Sequence, residues 1–151
     1  KEKKREQKRN YYDSERDYSS SSTYVSSSSS WCFITTAVCQ SLNKPDDCEE
    51  LNLIRSYRDN ILSKTDYGKI LIKEYYKIAP EIVAKIDETK NSKFLYQNIY
   101  NDWIEPISKL ILQKNYQRAL QKYCNLVRLL ADKYSIKISD ESHEIIKNIA
   151  K

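Results

Sequence analysis

The sequence predicts an all-α protein: a small helical bundle with a C-terminal antiparallel helical hairpin, preceded by a disordered Ser-rich linker. Three observations predict this class. The chain has 151 residues, which suits one domain. It contains a single Gly, whereas hairpin-rich β folds need many left-handed turns. Apolar residues recur at intervals of three and four over residues 93–134, which is the period of a helix.

Residues 1–30 form the predicted linker. Nine Ser lie within residues 19–30, and such a tract cannot bury enough apolar surface to offset chain entropy. The chain starts at Lys1 and contains no Met, so we expect a piece of a longer protein. No run of 18 apolar residues occurs, so we expect no membrane span, and we expect a cytoplasmic location.

The helical domain is predicted to occupy residues 31–151, with its first part at 31–90. Residues 31–39 are apolar and rich in β-branched side chains, which fits a buried strand or a short buried helix. The next helix is predicted to run to about Ser63 from an N-cap at Asp46, with Glu49 three residues later as in a capping box.

Gly68 is predicted to lie in the turn that follows. A further helix should stop near Ala79, because a proline disfavours helical geometry in the residue before it. Pro80 then suits the first turn of another helix.

The second part of the domain is predicted to be a helical hairpin over residues 93–134. Its two helices, 93–113 and 116–134, are joined at Lys114 and Asn115, and so short a join makes them antiparallel. Pro106 should kink the first of them. A terminal helix is predicted within residues 139–151.

Four Cys raise the question of a metal. Cys32, Cys39 and Cys48 are the candidate ligands, and a zinc site would need Cys124 or His143 as the fourth. Cys32 and Cys39 would lie about 10.5 Å apart along a helix, too far to share a metal or a disulfide. Cys39 and Cys48 are joined by a turn and can approach. Buried, inert thiols are the favoured interpretation, so no cofactor is expected and zinc is an alternative.

Catalysis is a further alternative for Cys32. On a helix it would align with Thr35 or Thr36, and a thiol near a helix N-terminus is activated. It would still need a base, and His143 is the chain's one histidine.

The helix after the turn carries Arg55, Arg58 and Asp59. Arg55 and Asp59 are four apart and are expected to pair on the surface. Arg58 falls on the apolar face, so we expect it to hold a buried carboxylate or backbone carbonyls, with anion or ligand binding as the alternative.

Thirteen Tyr suggest either stacking on nucleic acid or core packing. Most of them sit at core spacing, and the net charge of +5 is mild, so no nucleic-acid partner is favoured. The adjacent pair Tyr75 and Tyr76 should place one ring inward and one outward, which leaves Tyr76 for contacts.

These residues together resemble the CFI-box domain of bacterial proteins, which typically reads Cys-Phe-Ile-Ala-Thr-Ala and then Leu-Arg-x-Phe-Arg-Asp, a Gly, paired Tyr and Ser-Pro. The matching elements here are Cys32-Phe33-Ile34-Thr35-Thr36-Ala37, Ile54-Arg55-Ser56-Tyr57-Arg58-Asp59, Gly68, Tyr75-Tyr76 and Ala79-Pro80. The resemblance implies a module near the C-terminus of varied proteins, and it implies no catalytic residue or cofactor. Val38-Cys39-Gln40-Ser41 departs from the family pattern, as does Cys48.

The expected function is therefore an accessory helical module that contacts an upstream domain of the same protein or another protein. No complete catalytic constellation is present, so an enzyme is not favoured. One alternative is a small enzyme or ligand-binding domain with a pocket around Cys32, Arg58 and Asp59. The other is a zinc-stabilised module.

Overall fold

Helices account for nearly all of the part of the chain that the structure describes. This computed structural model describes residues 33–149, so the predicted linker at 1–30 and Cys32 lie outside it. The α-helices are α1 (Phe33–Ser41), α2 (Glu49–Asn60), α3 (Asp66–Asp87), α4 (Ser92–Ile99), α5 (Glu105–Leu112), α6 (Tyr116–Lys133) and α7 (Asp140–Ile149). Among these residues there is no strand, and no helix is both long and apolar enough to cross a membrane. The predicted all-α helical bundle is confirmed.

Helix α1 lies at the centre of the first part of the bundle. The segment for which the sequence allowed a strand or a helix is a helix, and its Ile34, Val38 and Cys39 are at most 1% exposed. It packs against α2, α3 and α4. Because three helices cover it, the most apolar stretch of the sequence becomes the core of the fold.

The predicted hairpin is formed by α5 and α6, which pack on each other across the join at Lys114 and Asn115. Helix α5 also packs on α2, and α6 packs on α3 and α7. The hairpin therefore packs on early and late helices of the described chain, and it contributes Ile107 and Leu126 to the core at 1% exposure.

Three helices end with a left-handed residue that is not glycine: Asn43 (φ 60°), Lys114 (φ 62°) and Ser135 (φ 57°). In each case the amide of the next residue bonds to the carbonyl five positions earlier, the longer bond of a Schellman motif. These bonds are Lys44 N to Cys39 O, Asn115 N to Leu110 O and Ile136 N to Ala131 O, all 2.8 Å long. Other residues thus occupy the left-handed positions for which glycine is usually selected.

The predicted N-cap of α2 is wrong. The cap is Cys48, whose backbone is extended and whose side chain makes no capping bond. Asp46 instead lies in the preceding loop, where its carboxylate and carbonyl bind Arg55. An acidic residue near a helix start can cap the helix or bind a basic side chain, and the path of the loop decides between these roles.

The predicted helix break at Pro80 is also wrong. Helix α3 runs without interruption from Asp66 to Asp87 with Pro80 inside it. A proline costs a helix interior about 3 kcal/mol. Its neighbours Ile78, Ile82 and Ile86 are at most 3% exposed, and each such burial contributes about 1.5–3 kcal/mol. Packing on both sides of the proline therefore outweighs its local cost.

Gly68 lies in the first turn of α3 and not in the turn before it, which corrects its predicted place. Its φ is not positive. The requirement is space, because a Cβ at this position would lie 1.9 Å from Leu62 O and 2.5 Å from Thr65 Oγ1. Glycine here allows the 3₁₀ turn at Leu62–Lys64 to fold tightly onto the start of α3.

The predicted helix 93–113 is interrupted as its proline suggested. A π-helical turn, Tyr100–Ile104, separates α4 from α5, and Pro106 lies in the first turn of α5. A proline removes one backbone donor, and a wider turn redistributes the affected bonds. The same turn directs Tyr100 toward α2, where its hydroxyl meets Glu50.

Candidate functional site

Three hydroxyl groups meet at the start of α1. Tyr75 Oη accepts a hydrogen bond from the Ile34 amide at 2.9 Å and lies 3.0 Å from Tyr123 Oη. Tyr123 Oη in turn lies 3.1 Å from Thr35 Oγ1, and Thr35 is fully buried. This network joins α1, α3 and α6. It satisfies a backbone donor at the helix start, so its evident contribution is to fix α1 in the core.

Thr35 and Thr36 therefore have different surroundings, although both were candidates beside Cys32. The Thr36 hydroxyl is buried and has no hydrogen-bond partner among residues 33–149. Cys32 lies outside the described residues. The role of Tyr75 and Tyr123 was missed, since their spacing indicated only core packing. A Tyr pair on separate helices at core positions gives no sequence signal that their hydroxyls meet.

The two arginines of α2 are fixed by separate carboxylates. Arg58 Nε and Nη2 donate to the two carboxylate oxygens of Asp59 at 2.8 and 3.3 Å. The Arg58 side chain is 9% exposed, whereas that of Asp59 is 51% exposed. The carboxylate that Arg58 was expected to hold is thus its exposed neighbour.

The predicted pairing of Arg55 with Asp59 is wrong. Arg55 Nη2 lies 3.1 Å from Asp46 Oδ1, and its Nη1 donates to the Asp46 carbonyl at 3.0 Å. These bonds anchor the loop between α1 and α2 to the side of α2. Helical spacing alone favoured Asp59, but a carboxylate from the loop reached the guanidinium instead.

Tyr76 is not the exposed ring that the sequence suggested. Both Tyr75 and Tyr76 are half-buried, and their rings meet edge to face with centroids 6.3 Å apart. The two side chains pack together as neighbours, so Tyr76 offers less free surface than expected.

A charged cluster that the sequence did not suggest lies at the start of α2. The Glu50 carboxylate accepts hydrogen bonds from the Tyr100 hydroxyl and from Lys44, whose Nζ is 3.2 Å away. Burial opposes ionisation of Glu50, yet these bonds outweigh it and lower its pKa to about 2. Burial and the same carboxylate raise the pKa of Tyr100 to about 12.

Two thiols lie beside this cluster. Cys39 Sγ, on α1, and Cys48 Sγ, at the cap of α2, are 3.7 Å apart, so the predicted approach is confirmed. Both are buried and free, as is Cys124. Burial raises the pKa of Cys39, with smaller increases from Cys48 and Glu50, and burial raises that of Cys124 to about 12. Residues 33–149 contain no group of three or more side chains suited to hold a metal ion.

His143 lies in an open groove of about 440 Å³ along α6 and α7. Its lining residues are Arg128, Asp140, His143, Glu144 and Lys147, so it contains groups of both charges and no Cys. The groove does not bring His143 to a candidate nucleophile within the described chain.

Comparisons with family models, with curated proteins and with solved structures find no match to this chain.

Proposed function

We propose that the chain is an accessory helical module of a larger bacterial protein and that it acts in the cytoplasm by binding a protein partner. The partner is an upstream domain of the same protein or another protein. The observation that carries the proposal is Phe94, which lies on α4 with its side chain 63% exposed. Aromatic side chains of this kind are enriched at protein interfaces.

The residues that resemble the CFI-box make their polar contacts within the domain, and this supports the assignment. Thr35 is held by Tyr123, and Arg58 by Asp59. Arg55 binds the loop at Asp46. Because these groups hold the module together, the outer surface is the part available to a partner.

Phe94 is also separable from the fold. Two other residues of α4, Tyr96 and Ile99, are 4% and 7% exposed and supply the buried face of the helix. Changing Phe94 should therefore leave stability within about 0.5 kcal/mol of the wild type. A substitution here tests binding without testing folding.

The experiment places the photo-crosslinker p-benzoylphenylalanine at position 94 in the full-length protein, expressed in its own cells. A discrete adduct is expected, because an aromatic anchor sits at the centre of an interface. The matched control is position 148, where Asn148 is exposed on a different helix, α7. Phe94→Glu should reduce co-purification of the adduct partner at least tenfold while the melting temperature stays unchanged.

An equal adduct yield at positions 94 and 148 would contradict the proposal. So would full co-purification with the Phe94→Glu protein. If no protein adduct forms and a small molecule raises the melting temperature, the result would instead support ligand binding as the function.

The second candidate function is that of a small enzyme or ligand-binding domain with a pocket around Cys32, Arg58 and Asp59. It is favoured by the buried Thr36 hydroxyl, which has no partner. The test is iodoacetamide labelling of the folded chain below pH 7. Cys39, Cys48 and Cys124 are at most 9% exposed, so a fast-reacting thiol reports Cys32. Slow labelling of all four thiols would remove this candidate.

A further inference from the structure

The pair Cys39 and Cys48 is held in place from both sides. Cys39 lies in the last turn of α1, whose end is closed by the left-handed Asn43 and by the bond from Lys44 N to Cys39 O. Cys48 N donates to Pro45 O at 3.1 Å, and the Cys48 carbonyl accepts the first bond of α2, from Asn52. The backbone at each thiol is therefore fixed by hydrogen bonds.

The loop between the thiols is fixed as well. Arg55 binds both the carbonyl and the carboxylate of Asp46, which lies two residues before Cys48. The Sγ atoms are 3.7 Å apart, and a disulfide requires about 2.05 Å. Each sulfur would need to move by less than about 1 Å, a distance that side-chain rotation can cover.

We propose that Cys39 and Cys48 form a reversible disulfide by exchange with a low-molecular-weight disulfide of the glutathione class. This modification goes beyond the proposed role in partner binding and does not depend on it. Cys48 is the more exposed thiol, at 9% against 1% for Cys39, so it is the one that meets the reagent first.

The exchange proceeds in two displacements. Cys48 loses its proton to solvent, its Sγ attacks one sulfur of R–S–S–R, and the first R–S⁻ leaves. Cys39 then loses its proton, attacks Cys48 Sγ and expels the second R–S⁻. The two released thiolates take up two protons, so R–S–S–R is reduced to two R–SH while the protein dithiol is oxidised to a disulfide. Burial of Cys39, which raises its pKa, makes the second displacement the slow one.

The other thiols provide the internal comparison. Cys124 lies on α6, and no other cysteine contacts it among residues 33–149. Because it is buried and lacks a thiol partner there, it should stay reduced under the same conditions. Oxidation is thus expected at one defined pair.

The experiment incubates the folded full chain with oxidised glutathione or with dithiothreitol, followed by acid quenching, denaturation and alkylation. The reduced chain carries four alkyl groups, one on each Cys, and the oxidised chain is expected to carry two. Peptide mapping should find Cys39 linked to Cys48. The loop closed by this bond is short, so the melting temperature should rise by about 5–10 °C.

Two variants sharpen the result. Cys32→Ser/Cys124→Ser retains only the proposed pair and should still lose both alkylation sites on oxidation. Cys39→Ser/Cys48→Ser should show no oxidation-dependent rise in melting temperature; if it fails to fold, the mass measurements on the wild type decide alone. Free Cys39 and Cys48 after oxidation, a stable glutathione adduct at either of them, or a link from either to another Cys would overturn the proposal.

Discussion

Replacing Gly68 by alanine should destabilise the protein, although helix propensity predicts the opposite. Alanine in place of glycine stabilises a helix interior by about 1 kcal/mol. At this position, however, the added Cβ would lie 1.9 Å from Leu62 O and 2.5 Å from Thr65 Oγ1. The nearer atom belongs to the backbone, so side-chain rotation cannot relieve the contact.

The cost follows from the hydrogen bonds that must shift. Thr65 Oγ1 accepts from Gly68 N at 3.0 Å and donates to Leu62 O at 2.9 Å, and Thr65 N also bonds to Leu62 O, at 3.1 Å. Each is worth about 1 kcal/mol. Loss of all three, less about 1 kcal/mol of helix propensity, leaves a destabilisation of about 2 kcal/mol. This corresponds to a melting temperature lower by about 6–10 °C.

Urea and thermal unfolding of Gly68→Ala, compared with wild type, measure this change. Thr65→Ala and the double variant complete a cycle that separates the two contacts. Since the Leu62 carbonyl remains in the Thr65→Ala background, at least half of the alanine penalty should persist there. A neutral or stabilised Gly68→Ala protein would show that the turn moves freely and would refute the reasoning.

The remaining predictions concern helix ends, charge and the hydroxyl network. Lys114→Gly and Ser135→Gly should each stabilise the protein by about 0.5–1 kcal/mol, because glycine adopts the left-handed region without strain; equal or lower urea midpoints would contradict this. Glu50→Gln should cost about 2 kcal/mol at pH 7, since a carboxylate with a folded pKa near 2 contributes stability that is present above pH 4.5 and lost as the pH falls to 2. Denaturation across pH 2–7 should therefore show wild type and variant converging near pH 2, and a constant difference would exclude ionisation as the cause. Tyr123→Phe should cost about 1–2 kcal/mol by removing the hydroxyl between two partners, while Tyr134→Phe, at a half-buried ring without a side-chain hydrogen bond to lose, should change the urea midpoint little.

Periodicity predicted the parts of the fold in which local and global preferences agree. Helices α6 and α7 match their predicted ranges closely, whereas the helix predicted over 93–113 is divided into α4, the π turn and α5. The low glycine content also predicted the absence of β structure among residues 33–149. Low glycine content also suggests few residues with left-handed backbone geometry. The helix ends differ, because Asn43, Lys114 and Ser135 adopt this geometry there.

The errors arise where a distant contact overrides a local rule. Pro80 reads as a helix boundary from its neighbours alone, but burial on both sides keeps α3 continuous. Asp46 reads as an N-cap until the position of Arg55 is known. The link from Tyr75 through Tyr123 to Thr35 spans 88 residues of sequence, and no spacing rule reaches that far. The proximity of Cys39 and Cys48 was foreseeable because a single turn joins them.

The central place of α1 affects how the chain leaves the ribosome. This helix emerges before the other described helices, yet the elements that pack on it extend through α4 to the π turn that ends at Ile104. At a translation rate of about 5–20 residues per second, the 72 residues from Phe33 to Ile104 take about 4–14 s to synthesise. During that interval the most apolar of the described helices is only partly covered, because α4 and the π turn are still missing. In the nascent chain, α1 is thus an apolar segment to which chaperones can bind, and in the folded protein it is buried. The time for which α1 is accessible is set by the rate of synthesis.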